Sequence, residues 1–562
     1  MTVVQPAAGL DYARGDETSG KQQMLFWGCF IALITTAFAF ITRMFLIGTW
    51  ATEFNLDPAQ QGRLIGIGIW PFAVSIIGFS LIIDRIGYKT AMLISFLGYA
   101  IWTAMAVAAF YASQGGDKQL GFNLLYWGSL ILGLSNGTVE AYINPVVATM
   151  FSRNKTKWLN ILHAGWPGGL VLAGVVTIAI DHFAPTTPWS LKLAIIAVPA
   201  VVFLFMLLPL KFPAQERVAA GVSYREMLAE FGIMGALVVG FLVVLQLMDF
   251  FSNGGTEKLS TAQYALFIVI GVGIVAGFAA YTKSLGRGFM FVMIIIMMPL
   301  ATTEIGTDAW ISTIMAGVAK GTFNPGWVLV YTSAIMMILR FFAGPIIHKL
   351  SPLGLLAMSA ILAVAGLVFL SGATGLAMIF IAATLYGFGK TFFWPTMLGV
   401  VSDQTPRGGA LTLNALGGIG MLAVGTLGAT FIGALQADKK IDAVAATPAA
   451  KEVQGLVVGD SLSEKVLEKK SVYEIIHYKN VDDKALAVET KDLPKEKQDQ
   501  IKAAADGSAQ KALLNMAMFP GFMLVMYLIL IAYFKSRGGY RPVQIHSDDE
   551  VKKPGLPAAD EY

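Results

Sequence analysis

Charge is scarce in this chain: Asp, Glu, Lys and Arg together make up 14% of 562 residues, against roughly 25% in soluble globular proteins. Cysteine is almost absent. Cys29 is the single thiol, which excludes an internal disulfide, and its place in an apolar run argues against a metal cluster or a thiol enzyme. Histidines stand at positions 163, 182, 348, 477 and 546, too far apart for a His-Glu-x-x-His zinc set. No Gly-rich loop ending in Lys-Ser/Thr occurs, so ATP is not the implied energy source, and neither a metal nor a cofactor is expected. The formal net charge is only +4 and the basic residues are scattered, which argues against a nucleic-acid partner.

What the chain has instead is apolar length. Apolar residues fill 56% of it, its mean hydropathy is +0.65, and runs of about twenty residues recur, each long enough to cross roughly 30 Å of hydrocarbon. The expected class is an all-α membrane protein. The polar start, Met1 to Gln23, lacks the apolar core and cleavage site of a signal peptide and reads as a tail.

Apolar spans are expected at Leu25–Gly48, Leu64–Ile83, Ala91–Tyr111, Leu124–Met150, Leu159–Ile180 and Leu191–Leu210. After a basic connector come Phe231–Phe251 and Ala265–Tyr281, then Phe289–Ala316, Trp327–Ile347, Leu355–Leu370, Leu376–Val400, Ala410–Leu435 and Leu513–Tyr533. This is a fourteen-span layout. Its parts are a tail (1–24), a six-helix bundle (25–212), a connector with two extra spans (213–285), five helices of a second bundle (286–436), a polar insert (437–511), a last span (512–535) and a tail (536–562). The Lys and Arg of the short loops then fall on one side, which places both termini in the cytoplasm of a plasma membrane, the inner one in a Gram-negative cell, and the insert outside. Within the insert, Ser461–Tyr473 and Leu493–Ala505 have helical composition.

An internal repeat points to a site between two related halves. Gly137-Thr-Val-Glu140-Ala-Tyr-Ile-Asn144-Pro145 is matched by Gly387-Phe-Gly-Lys390-Thr-Phe-Phe-Trp394-Pro395, and Leu159-Asn160 by Leu413-Asn414. A second echo links Ser80-Leu-Ile-Ile-Asp84-Arg85-Ile86 with Gly344-Pro-Ile-Ile-His348-Lys349-Leu350.

The loop Asp84-Arg85-Ile86-Gly87-Tyr88-Lys89 resembles the signature of the major facilitator superfamily, with Ser80 in the place of its usual glycine. The resemblance implies two six-helix bundles, here with two extra spans between them, and a cytoplasmic gate built on Asp84, Arg85, Lys89 and, near the second copy, Arg340. More narrowly, Glu140-x-x-x-Asn144-Pro145 with Leu159-Asn160-x-x-His163 is similar to the fucose, galactose and glucose proton symporter family. That likeness maps the family's proton-coupling acid onto Glu140. The family's span-one acid has no counterpart, and Arg43 is the polar residue there.

Ionised groups at mid-membrane are costly and need a cavity or a partner. Glu140 has Asn136 and Asn144 one turn away on the same helical face and is the expected proton carrier, with Glu304 as a second coupling acid. The alternative for Glu140 is a fixed ion pair with Lys390. Arg43, Asn136, Asn144, Asn160, His163, Asp308, Lys390 and Trp394 are the expected solute contacts, Lys390 and Trp394 sharing a face that suits an acidic group beside a sugar ring. Asp308 alternatively lies in a wet outer vestibule or, with Glu304, partners Arg43 or Arg340.

The function these features suggest is proton-coupled symport of a sugar or acidic sugar derivative by a monomer in a lipid bilayer, with sodium open as the coupling ion. The competing readings are a proton-coupled exporter of drugs or lipids and, more remotely, an intramembrane enzyme or a receptor.

Overall fold

A computed structural model describes residues 20–56, 64–252, 257–319, 326–473 and 476–545. Twelve helices in these residues are long and apolar enough to cross a membrane, or thirteen when a bent pair is taken as one span. They begin with α1 (Gly20–Glu53), α2 (Leu64–Ile86) and α3 (Tyr88–Gln114). Next comes α4 (Lys118–Met150), helical throughout but outside that count, because Asn136, Thr138, Glu140 and Asn144 dilute its apolar content. Then follow α5 (Lys155–Phe183), α6 (Trp189–Leu207), α7 (Tyr224–Phe251) and α8 (Thr261–Thr282). Helix α9 starts at Gly288, widens into a π turn at Thr302–Gly306 and resumes as Thr307–Ala319. Helix α10 (Gly326–Phe341) bends by 69° into Ala343–Leu350, where Pro345 cannot donate to the carbonyl of Phe341. Helices α11 (Pro352–Ser371), α12 (Leu376–Gln404), α13 (Pro406–Ala446) and α14 (Lys495–Ser536) complete the set.

Helices α1 to α6 pack as one group and α9 to α14 as another, and the two groups meet where α2 lies against α13 and where α5 lies against α10 and α12. Small residues permit the close approach. A Cβ on Gly418 would stand 2.5 Å from Ile77 across the seam, and one on Gly169 would stand 2.6 Å from the carbonyl of Ile34. The pair α7 and α8 attaches through α7. Its Tyr224 hydroxyl donates to the Leu81 carbonyl of α2 at 3.0 Å, Phe250 meets Trp70 edge to face at 5.6 Å, and the same helix packs on α13. Helix α7 therefore lies against both groups, whereas α8 turns most of its surface outward, with Leu266, Ile268, Val269 and Val272 exposed.

One end of the bundle, the basic end, carries Asp84, Lys155 and Asp403. The opposite end carries the insert. There α13 continues past the expected Leu435 to Ala446 and joins a small body with its own apolar centre of Val444, Leu456, Leu462, Val466, Val481 and Ile501. The helical expectation for Ser461–Tyr473 does not hold. This stretch forms β2 (Ser461–Leu462), paired with β1 (Val457–Val458), and β3 (Leu467–Val472), paired antiparallel with β4 (Ile476–Val481). Burial of Leu462, Val466 and Val481 in the shared centre overrides the helix-favouring Lys and Glu. The second stretch is helical, as Lys495–Ser508.

Candidate functional site

Two prolines shape the centre. A proline leaves the carbonyl four residues earlier without its helical partner. Pro145, inside α4, frees the Ala141 carbonyl, which instead accepts Asn414 Nδ2 of α13 at 2.9 Å. Pro395 likewise frees the Thr391 carbonyl, which accepts Arg340 Nε of α10 at 2.6 Å. At Pro395 the helix interrupts and restarts at Phe393, so the Trp394 N–H is one of the unpaired donors of a helix start. It donates to Glu304 Oε2 at 3.2 Å.

Glu304 sits in the π turn of α9, a distortion frequent at functional sites. Its other oxygen accepts Arg340 Nη2 at 2.8 Å. Arg340 is 1% exposed, and each of its three nitrogens has a partner, the third contact being Nη1 to the His163 carbonyl at 2.7 Å. Arg340, expected at a cytoplasmic gate, thus lies in the centre: the break in α12 presents a carbonyl there and α9 a carboxylate, and a buried guanidinium must satisfy several donors at once.

Glu140 faces the same space from α4. It accepts Asn144 Nδ2 at 2.6 Å and has no salt-bridge partner among the described residues. Asn144 in turn faces His163 Nε2 at 3.0 Å and Asn414 Oδ1 at 3.4 Å. Glu140, His163, Trp166, Glu304, Arg340 and Trp394, with Phe72, Ile305 and Met421, line a narrow cavity of about 20 Å³, room for about one water. Both helical groups contribute to it.

The other expected contacts lie elsewhere. Lys390 pairs with Asp308, not with Glu140, and stands 5.4 Å above the Tyr386 ring. Asp308 is therefore tied within its own helical group and does not stand free in a wet vestibule. Arg43 is buried and donates to the Leu64 carbonyl. Asn136 accepts the Tyr99 hydroxyl at 2.9 Å. Asn160 crosses the seam to Thr396 Oγ1 at 3.1 Å, between the cavity and the basic end.

At the basic end Asp84 pairs with Arg217 of the connector, Arg85 lies 4.7 Å over the Tyr224 ring, and Lys89 is exposed beside a cleft of about 500 Å³. The ties across the seam there involve residues that sequence reasoning passed over. Asp403 of α12 accepts Thr156 Oγ1 at 3.3 Å and the Tyr540 hydroxyl at 3.0 Å. Lys155 bonds Glu216 at 2.6 Å and the Ser402 carbonyl at 3.3 Å. The tail adds Val543 N–H to the Asp403 carbonyl at 2.8 Å and accepts Gln404 Nε2 at the Arg541 carbonyl at 2.7 Å. Trp166, Phe72, Tyr386 and Met421 were also unforeseen. Trp166 alone left a trace, one residue before Pro167 in a Gly-rich stretch.

Comparison with known proteins follows the same lines. The fold resembles the xylose transporter XylE from E. coli in a partially occluded inward-open conformation, at 13% identity over 74% of this chain and 91% of that one, with a TM-score of 0.51. It also resembles the human organic anion transporter MFSD10 (TETRAN), at 11% identity over 90% and 100%, with a TM-score of 0.50. A point variant of the E. coli fucose:proton symporter FucP aligns at 13% identity over 89% and 98%, with a TM-score of 0.49. No curated protein matches by sequence. The family model of the Major Facilitator Superfamily matches residues 28–429, and with helices that pack as two groups around a shared cavity the chain belongs to that superfamily of membrane transporters and is not an enzyme.

Proposed function

We propose that this protein is a secondary active transporter that couples protons to the movement of a small polar solute, a sugar or an acidic sugar derivative, by alternating access. The observation that carries the reading is Glu140: a buried carboxylate without a cationic partner among the described residues, facing a cavity shared by both helical groups. Such a group gains a proton when sealed from water and loses it when solvent or a cation arrives. The neighbouring Glu304–Arg340 pair offers a second carboxylate and a fixed positive charge. Trp166 and Trp394 offer ring faces of the kind that pack on a sugar's apolar side. Glu140, His163, Glu304 and Arg340, set among Phe72, Trp166, Ile305, Trp394 and Met421, suit a guest with both a polar and an apolar face.

On this reading the chain has fourteen spans, with α4 among them, and α7 and α8 are an insertion that leaves both six-helix bundles in their usual orientation. The basic end and both termini face the cytoplasm, and the insert faces outward. The test uses the purified full chain in liposomes containing a pH-sensitive dye. Neutral sugars and sugar acids are added outside without an imposed gradient. Proton entry that depends on one of these solutes and is absent from Glu140→Gln supports the reading; solute-independent or absent proton movement across both classes overturns it.

A further inference from the structure

The π turn of α9 has a twin. Helix α13 widens into a π turn at Val424–Gly428, and the two turns pack together. A Cβ on Gly428 would stand 2.5 Å from Thr302 Oγ1, and one on Gly306 would stand 3.0 Å from Ile432 and 3.6 Å from Val424. A π turn departs from the regular four-residue ladder and presents carbonyls to outside donors. Each turn here takes a tyrosine hydroxyl. The Tyr386 hydroxyl of α12 donates to the Thr303 carbonyl at 2.5 Å, and the Tyr473 hydroxyl donates to the Thr426 carbonyl at 3.2 Å.

The second donor comes from the insert. Tyr473 follows the last residue of β3 at the hairpin end, with a φ of 57° that projects it out of the strand. Two other links fasten the same body to the bundle. The Gln510 side-chain amide donates to the Leu370 and Ala373 carbonyls at the end of α11, both at 2.7 Å, and Lys495–Ser508 packs on the Thr307–Ala319 half of α9. Beside the π turns lies an open cleft of about 370 Å³ bordered by Met298, Thr302, Leu427, Gly428 and Phe431.

We propose that Tyr473 is a positioning residue for transport: its hydroxyl holds the α13 π turn against the α9 π turn that carries Glu304, and the insert-side path to the cavity opens when this bond breaks. The contacts run without a gap from Tyr473 to the Thr426 carbonyl, from Gly428 to Thr302, and along the α9 turn to Glu304 and Arg340. The inference rests on the transport reading for its purpose, but its geometry is testable without a solute or a proton gradient.

Ile69 of α2 faces Gly425, one residue before Thr426, with 3.9 Å between Ile69 Cγ2 and a Cβ built on Gly425. In a Cys29→Ser background, Ile69→Cys is placed in the full chain in liposomes, and its labelling rate by a membrane-impermeant maleimide is measured. Ser461→Cys, on the exposed face of the insert, serves as the control. Adding Tyr473→Phe, which keeps the ring and removes the hydroxyl, is expected to raise labelling at position 69 roughly fivefold, the shift for one lost neutral hydrogen bond. Labelling at position 461 stays unchanged, and the melting temperature falls by about 2 °C or less. Gln510→Ala acts as a second variant, expected to raise labelling at position 69 in the same direction. An unchanged rate at position 69 in both variants overturns the proposal, as does a rise at 69 and 461 together with a larger fall in melting temperature. Failure of the solute assay above with success here rejects the substrate and coupling and leaves the gate.

Discussion

Asn414 donates to the carbonyl of Ala141 at 2.9 Å, across the seam between the two helical groups, because Pro145 leaves that carbonyl without a helical partner. The same side chain contacts Asn144, which bonds Glu140. A seam tie and the proposed proton site thus share neighbouring turns of α4. Asn414→Ala removes the tie, and a neutral hydrogen bond contributes about 1 kcal/mol. In a Cys29→Ser background, a cysteine replacing the buried Thr396, which meets Asn160 across the seam, is expected to react about fivefold faster with a small thiol reagent in Asn414→Ala than with Asn414 intact. Equal rates would show that the tie does not hold the seam closed.

Glu140→Gln keeps the shape and the hydrogen bond with Asn144 while removing the titration. The expected outcome in vesicles is loss of accumulation driven by an inward proton gradient, with solute exchange at equal concentrations at least half retained. If both activities persist, coupling resides elsewhere, and Glu304 becomes the next residue to replace.

Arg340 binds Glu304, the Thr391 carbonyl and the His163 carbonyl in three directions. Breaking a buried pair from one side costs about 3–5 kcal/mol, because the remaining charge loses its partner. Arg340→Ala is therefore expected to lower the melting temperature strongly, and adding Glu304→Gln is expected to recover part of the loss. Arg340→Lys recovers little, since an ammonium does not reproduce a planar fork. Additive losses in the double variant, read by thermal unfolding in detergent, would contradict the pairing.

Lys390 has a different expected signature. Its partner is Asp308 and it does not line the cavity. Lys390→Ala should destabilise the protein, Lys390→Ala with Asp308→Ala should restore much of the stability, and the preference between acidic and neutral solutes should stay the same in the double variant. A selective loss of acidic solutes there would return Lys390 to the binding site.

The tail strap carries a pH signature. Burial, and then the Asp403 carboxylate beside it, push the Tyr540 hydroxyl well above its ordinary range. A group raised on docking stabilises the docked state fully below its free value, about 10 for tyrosine, and the contribution fades only above that. Protection of residues 537–543 from proteolysis should be flat between about pH 8 and 9 and decline above about 10. Tyr540→Phe should lower it at every pH. A decline beginning near neutrality would point to a different group.

Much of the fold is legible in the sequence because lipid imposes a length and a polarity on each span, and the repeat around Pro145 and Pro395 already marks the two helices that meet at the cavity. Glu140 was legible for the same reason: a lone acid in an apolar run has few places to go. Charge partners were not. Asp308 and Glu304 are one turn apart on α9, and whether Lys390 or Arg340 reaches each depends on helix rotation, which the π turn alters locally. The strands within Ser461–Tyr473 were hidden because β3 is rich in Lys and Glu and gains its stability from its partner β4 and from the apolar centre below.

Helix α13 passes from the seam through its π turn and on into the insert without leaving helical form. From Gly428 to Ala446 it extends about 27 Å at 1.5 Å per residue, so a tilt of about 10° at the π turn displaces its tip by about 5 Å. The protruding body is in this sense the long arm of a lever whose fulcrum is buried in the membrane. On the proposed gating, a binder that clamps it would arrest the machine without ever touching the cargo.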